Sequence, residues 1–355
     1  MNKDIKSLYI HIPFCNKICD YCDFTKLQYF RNFAVNYLEA LKDELASYKI
    51  KSLKTIYVGG GTPTALEDDL FFRLLEMIDP YKEGVVEYTF EANPESLSLN
   101  KIKMLQEHGV NRISIGVQTT NDEILKLVNR DHNFKQVQDA IQNLKENGIT
   151  NINVDLILGL PHSSKKILEE DLKNILSLGI KHISCYGLTV NPHTALYNRG
   201  FQEPASDVLR DFYDIVEQTL KKENFIHYEV SNWAIPGFES QHNLTYWRNE
   251  QYYGVGLGAS GYIDNNRYKN TVNLSQYLKR AFVFEKEEVS NKDKDTYQIM
   301  LNLRTIEGLD TKYTKGKESI VEELIDEGLL VKSQNSVIPT YQGMMILDQI
   351  ILKLL

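Results

Sequence analysis

Six short runs rich in β-branched and aromatic residues alternate with stretches of helical period across the first half of the chain, and this alternation leaves few architectures open. The runs fall at 7–12, 53–58, 86–91, 111–115, 151–158 and 181–189, and the helical stretches at 32–48, 66–78, 98–108, 134–147 and 166–178. Gly109, Gly148 and Gly179 close three of those stretches, the usual punctuation of a helix C-terminus. Repeated strand–helix units build a parallel sheet, and strands this hydrophobic expect burial on both faces. The fold class is therefore α/β. Six units fall two short of a closed eight-unit barrel.

Three of the four cysteines lie close together, in Tyr9-Ile10-His11-Ile12-Pro13-Phe14-Cys15 and then at Cys19 and Cys22. The spacing C-x3-C-x2-C is one ligand short of a closed metal site. Three thiolates can hold three irons of a [4Fe–4S] cluster and leave the fourth iron open, whereas electron-transfer ferredoxins use four cysteines. Tyr21 and Phe24 flank the loop and are expected to keep it dry. Zinc is the competing reading, but no second C-x2-C or histidine pair follows at short range. His11 lies in an alternating strand that directs it elsewhere. A disulfide framework does not suit so few cysteines in a chain of this size with no signal peptide. Cys185, in an apolar segment, is expected to be a buried structural residue.

Ligands of parallel α/β sheets bind beyond the C-terminal strand ends, and polar residues collect there. The second run ends in Gly59-Gly60-Gly61-Thr62-Pro63, which serves either as a tight turn or as a loop whose backbone N–H groups meet a ligand. The third ends Phe90-Glu91-Ala92-Asn93-Pro94 and the fourth Ser114-Ile115-Gly116-Val117-Gln118. Asn129-Arg130-Asp131-His132 follows, and the fifth run carries Asn153-Val154-Asp155-Leu156. Each side chain alone suits an ordinary surface role; their recurrence on successive strands suits a ligand with both positive and negative groups.

The segment from Tyr9 to Phe24 resembles the signature of radical S-adenosylmethionine (SAM) proteins, and within them the oxygen-independent coproporphyrinogen III oxidase group. That resemblance implies an open six-unit (β/α) partial barrel. It also implies a [4Fe–4S] cluster on Cys15, Cys19 and Cys22, with SAM on the open iron. Gly60, Gly61, Thr62, Glu91, Gln118, Arg130 and Asp155 match SAM-contacting positions, and Tyr9 and Tyr21 fall near the cofactor.

The second half narrows the resemblance. Tyr228-Glu229-Val230-Ser231-Asn232-Trp233-Ala234, then His242-Asn243-Leu244-Thr245-Tyr246-Trp247 and Gly254-Val255-Gly256, are similar to the radical SAM haem chaperones. In those proteins His-Asn-x-x-Tyr-Trp is linked to haem. A histidine can ligate haem iron and aromatics can stack on a porphyrin, which makes His242, Tyr246 and Trp247 the haem candidates. Read by themselves, the same residues suit a turn and a core better than a haem site. Phe24 stands where the oxidase carries a fourth cysteine, and the chain lacks the oxidase's longer N-terminal extension; both favour the chaperone branch. The implied partners are haem, haem-accepting proteins and a reductant such as a flavodoxin or ferredoxin. The enzyme itself, oxidatively decarboxylating coproporphyrinogen III through a 5′-deoxyadenosyl radical, is the alternative, as is radical chemistry on another substrate.

The division expected is 1–190 for the partial barrel, 191–285 for an extension carrying the haem-associated motif, and 286–355 for a winged-helix-like α+β module. The run 285–295 is charged and reads as a surface connector; helices follow at 294–303, 318–327 and 342–354, with a hairpin at 329–339. A DNA-binding role needs a basic recognition helix, and 319–327 is acidic, as is the whole chain at a formal −8. Hydrophobic content of 42% with no run of membrane-spanning length indicates a cytoplasmic protein.

Overall fold

The computed structural model describes residues 5–355. The six expected strands form as β1 (Ser7–Ile12), β2 (Thr55–Gly60), β3 (Glu87–Ala92), β4 (Arg112–Gln118), β5 (Asn151–Leu158) and β6 (His182–Gly187). The crossover helices between them are α1 (Arg31–Ser47), α2 (Asp68–Ile78), α3 (Leu99–Glu107), α4 (Phe134–Glu146) and α5 (Lys165–Ser177). Each strand pairs parallel with the next, as crossover connections require.

Three further strands extend the sheet. They are β7 (Ile226–Glu229), β8 (Asn232–Ala234) and β9 (Tyr253–Val255), giving the order β9-β1-β2-β3-β4-β5-β6-β8-β7. β9 is a seventh parallel strand, on β1, while β8 and β7 run antiparallel beyond β6. The two end strands do not pair with each other among the described residues, so the barrel stays open.

The strands are buried on both faces, but the two faces differ in chemistry. Outward positions are apolar and packed beneath the helices: Leu8, Ile10 and Ile12 on β1, Ile113, Ile115 and Val117 on β4, all fully buried. Each such side chain contributes roughly 1.5–3 kcal/mol of burial. Inward positions are polar. Ser7, Thr55, Glu87, Thr89, Arg112, Ser114, Asn153, His182 and Ser184 are almost wholly buried on the inner face. The expectation of uniformly hydrophobic strands therefore holds only for the side that meets the helices.

The open end under the strand N-termini is closed by α7 (Gln241–Trp247), which follows α6 (Ser206–Lys222) in chain order. The buried Glu87 carboxylate accepts the N–H groups of Gln241 and His242, both at 2.8 Å, and the Ser240 hydroxyl at 3.3 Å. A carboxylate at a helix N-terminus satisfies orphan donors and the helix dipole together. Ser7 and Thr245 hydroxyls meet at 2.9 Å on the other side of the plug.

The charged run 285–295 is not a connector, since it falls in a strand and the helix that follows it. Val283–Glu288 forms an exposed edge strand on Asn266–Asn270, which pairs on its other side with Ser260–Ile263; the edge strand's Glu285-Lys286-Glu287-Glu288 run is the kind of charge that keeps a sheet edge from recruiting another chain. Beyond it a separate core forms around Leu303, Leu309, Leu324, Leu330, Val337, Ile350 and Leu354. This region contains α8 (Asn291–Asn302), α9 (Glu318–Asp326), α10 (Leu347–Leu354) and a three-stranded antiparallel sheet. Residues 206–282, in contrast, share the barrel's core through Phe212, Val216, Trp233, Val255 and Tyr277.

Candidate cofactor site at the mouth of the barrel

A cavity of about 640 Å³ opens at the C-terminal ends of the parallel strands and is lined by Cys15, Cys19 and Cys22 together. The cysteine loop is held in place by contacts to two neighbouring segments. The Asn129 amide donates to Ile18 O at 2.8 Å, Asp20 N–H donates to Val128 O at 3.1 Å, and Lys17 pairs with Asp131. On the other flank Leu196 N–H donates to Asp20 O at 2.9 Å, the Asn191 amide donates to Asp23 at 2.6 Å, and Arg199 pairs with Asp20. Burial pushes the Cys15 thiol up to about 11 and raises Cys22 as well. Metal coordination removes such protons outright. The Thr62 hydroxyl donates to Cys15 Sγ at 3.7 Å, and the Arg130 guanidinium to Cys19 Sγ at 3.4 Å.

Gly60, Gly61, Thr62, Glu91, Gln118, Arg130, Asp155 and Tyr21 line the same cavity. The glycine turn has a steric reason: a Cβ at Gly59 would fall 2.6 Å from the Glu91 carboxyl carbon, and Gly60 sits at φ +113°. Glu91 accepts from Tyr57 OH at 2.7 Å and from Gly60 N–H at 2.9 Å, while burial raises it to about 7. Asp155, also raised by burial, accepts from Ser114 at 3.1 Å and Asn153 at 2.8 Å. Gln118 stands at φ +71° beside a strand irregularity at Gly116/Gln118, which re-aims its side chain. Arg130 is 7% exposed and its Nε has no partner, so the site has donor capacity to spare.

Two residues depart from the expectation. Tyr9 stands one layer back, bonded to His11 at 2.9 Å with its ring 6.1 Å from that of Tyr57. Phe24 lines the cavity but is 67% exposed, so it does not seal the loop as the sequence suggested. Cys185 is fully buried, away from the other three.

The motif His242–Trp247 forms α7, the plug, and not the mouth. His242 is 1% exposed; Nδ1 meets Thr55 Oγ1 at 2.8 Å and Nε2 meets Tyr246 OH at 2.8 Å, while the ring stacks on Tyr57 at 5.2 Å. Both ring nitrogens are thus engaged, and burial lowers the imidazole to about 3. Trp247 packs with Tyr228, Ala234 and Leu244. The motif residue that reaches the cavity is Asn243, which sequence reasoning passed over because the motif's histidine and aromatics drew the chemistry.

An open parallel barrel with a cysteine loop at its mouth is the architecture of the radical SAM proteins, and the model of the radical SAM superfamily matches residues 9–175. The fold is that of the coproporphyrinogen III oxidase HemN from Escherichia coli, a radical SAM enzyme, with a TM-score of 0.86 at 22% identity over 99% of this chain and 90% of that one. Full-length similarity is higher to the heme chaperones HemW. The Lactococcus lactis protein is 39% identical over 95% of this chain and 94% of its own length, and the Bacillus subtilis protein 37% identical over 98% of each. The chain belongs to the HemW family.

Proposed function

We propose that this protein is a cytoplasmic haem chaperone that carries a [4Fe–4S] cluster and SAM and passes haem to acceptor proteins. The observation that carries the reading is the convergence of three thiols, the Gly60–Gly61–Thr62 turn and a mixed set of charges on one cavity, in a chain similar throughout to HemW heme chaperones. Among the described residues no three Cys, His, Asp or Glu side chains converge on a single-ion position. Cys15, Cys19 and Cys22 would hold the cluster. When bound, it would supply an electron to SAM, drawn from a flavodoxin- or ferredoxin-type reductant. Gly60 and Thr62 would meet the methionine end, Arg130 its carboxylate, and Glu91 and Asp155 its cationic and hydroxyl groups, with Gln118 and Tyr21 beside them.

Titrating haem into the anaerobic, cluster-loaded protein is expected to give a saturable Soret change, with no protoporphyrinogen formed from coproporphyrinogen, SAM and reductant. Absence of the Soret change would remove the chaperone reading; turnover would replace it with the oxidase. Haem ligation by His242 would require one ring nitrogen to give up its partner, Thr55 or Tyr246, and the buried ring to become accessible.

SAM affinity is expected to depend on pH through Glu91. Its carboxyl is raised to about 7, so the form that attracts a cation appears as pH climbs through that value. Binding should strengthen up to about tenfold between pH 6 and pH 8, read by calorimetry, and Glu91→Gln should flatten the profile. The sign for the ligand-free fold is opposite. A carboxyl raised on folding contributes stability at low pH that is lost as pH rises through 7.

A further inference from the structure

We propose that Arg112 anchors a carboxylate of a ligand held in the barrel cavity, and that this carboxylate is a porphyrin propionate; the second clause rests on the haem-chaperone reading. Arg112 opens β4 on its inner face, is 1% exposed, and lines the cavity. Its Nε has no hydrogen-bond partner. Glu91 and Asp155 act on the guanidinium through space, while their oxygens accept from Tyr57, Gly60, Ser114 and Asn153. A guanidinium kept from water without a bonded anion is strongly disfavoured, and its planar donors match a carboxylate in pairs. The cavity therefore holds a deep cation that bonds no carboxylate, with Glu91 and Asp155 acting on it only across space.

Two other features fit an amphipathic acid. Asn243 of the plug lines the same cavity and brings a side-chain amide to it. At the mouth, Tyr186 and Phe24 are 42% and 67% exposed and offer aromatic faces to a flat ring. The macrocycle would rest at the mouth with one arm reaching inward, so the motif would serve haem through Asn243 while His242 stays in the floor. The competing source of a carboxylate is SAM itself, whose methionine end is assigned above to Arg130.

The test compares haem with haem dimethyl ester, by Soret titration of the cluster-loaded protein, for wild type, Arg112→Lys and Arg112→Met. SAM affinity is measured in parallel. The wild-type protein is expected to prefer the free acid by about tenfold or more. Arg112→Met should bind both porphyrins alike, and Arg112→Lys should retain part of the preference. Equal wild-type affinity for acid and ester, a comparison that needs no variant to fold, would overturn the proposal and leave the chaperone reading standing. So would a preference that survives in Arg112→Met while SAM binding is lost, which assigns Arg112 to the SAM carboxylate. No saturable change with either porphyrin would remove the chaperone reading and this proposal together.

Discussion

Serine in place of Cys15, Cys19 or Cys22 is expected to abolish the cluster, taking iron after anaerobic reconstitution from about four per chain to a small remainder and removing the charge-transfer absorbance. Cys185→Ser should leave both unchanged. The four thiols separate cleanly by position: three line the cavity, and the fourth is a fully buried residue of β6 itself. A hydroxyl cannot replace a thiolate as an iron ligand of comparable softness. Losing one of three protein ligands leaves two corners of the cube unsupported. Retention of full iron and sulfide in any of the three variants would show that another residue completes the set, and the site as drawn would be wrong.

His242→Ala is expected to cost about 2–4 kcal/mol of unfolding free energy, measured by urea denaturation of the cluster-free protein, while haem affinity changes much less. The ring fills the space between Tyr57 and Tyr246, at centroid distances of 5.2 and 5.1 Å, and holds Thr55 and Tyr246 through its two nitrogens. Truncation leaves a void and two buried hydroxyls short of a partner. Those groups lie in the floor of the barrel, where α7 is capped by Glu87. A variant as stable as wild type that had lost its haem would reverse the assignment and make His242 a ligand.

Much of the barrel could be read from the chain because outward-facing Leu, Ile and Val recur with unmistakable strand and helix periods. β1 and β5 fall at the expected bounds, and the other strands within a few residues. The cavity-lining residues Glu91, Gln118 and Asp155 were legible for the same reason, since strand alternation and strand ends fix which side chains face the cavity. What escaped depends on partners remote in sequence. His242 meets Thr55 across 187 positions, and no local pattern distinguishes that contact from a metal ligand. β9 is only three residues long and owes its strand geometry to β1. The run through Val283–Glu288 is so charged that only pairing with its neighbour makes it a strand. Arg112 was silent because a single arginine inside an apolar run carries no spacing signal.

The lashings of the cysteine loop have a consequence for the life of the protein in air. Ile18, Asp20 and Asp23 are fastened by amides, carbonyls and ion pairs from outside the loop, none of which needs iron. An oxidised cube could therefore fall away and leave its receptacle standing. Repair would then be a matter of resupplying iron, sulfide and electrons to a chain still fully folded.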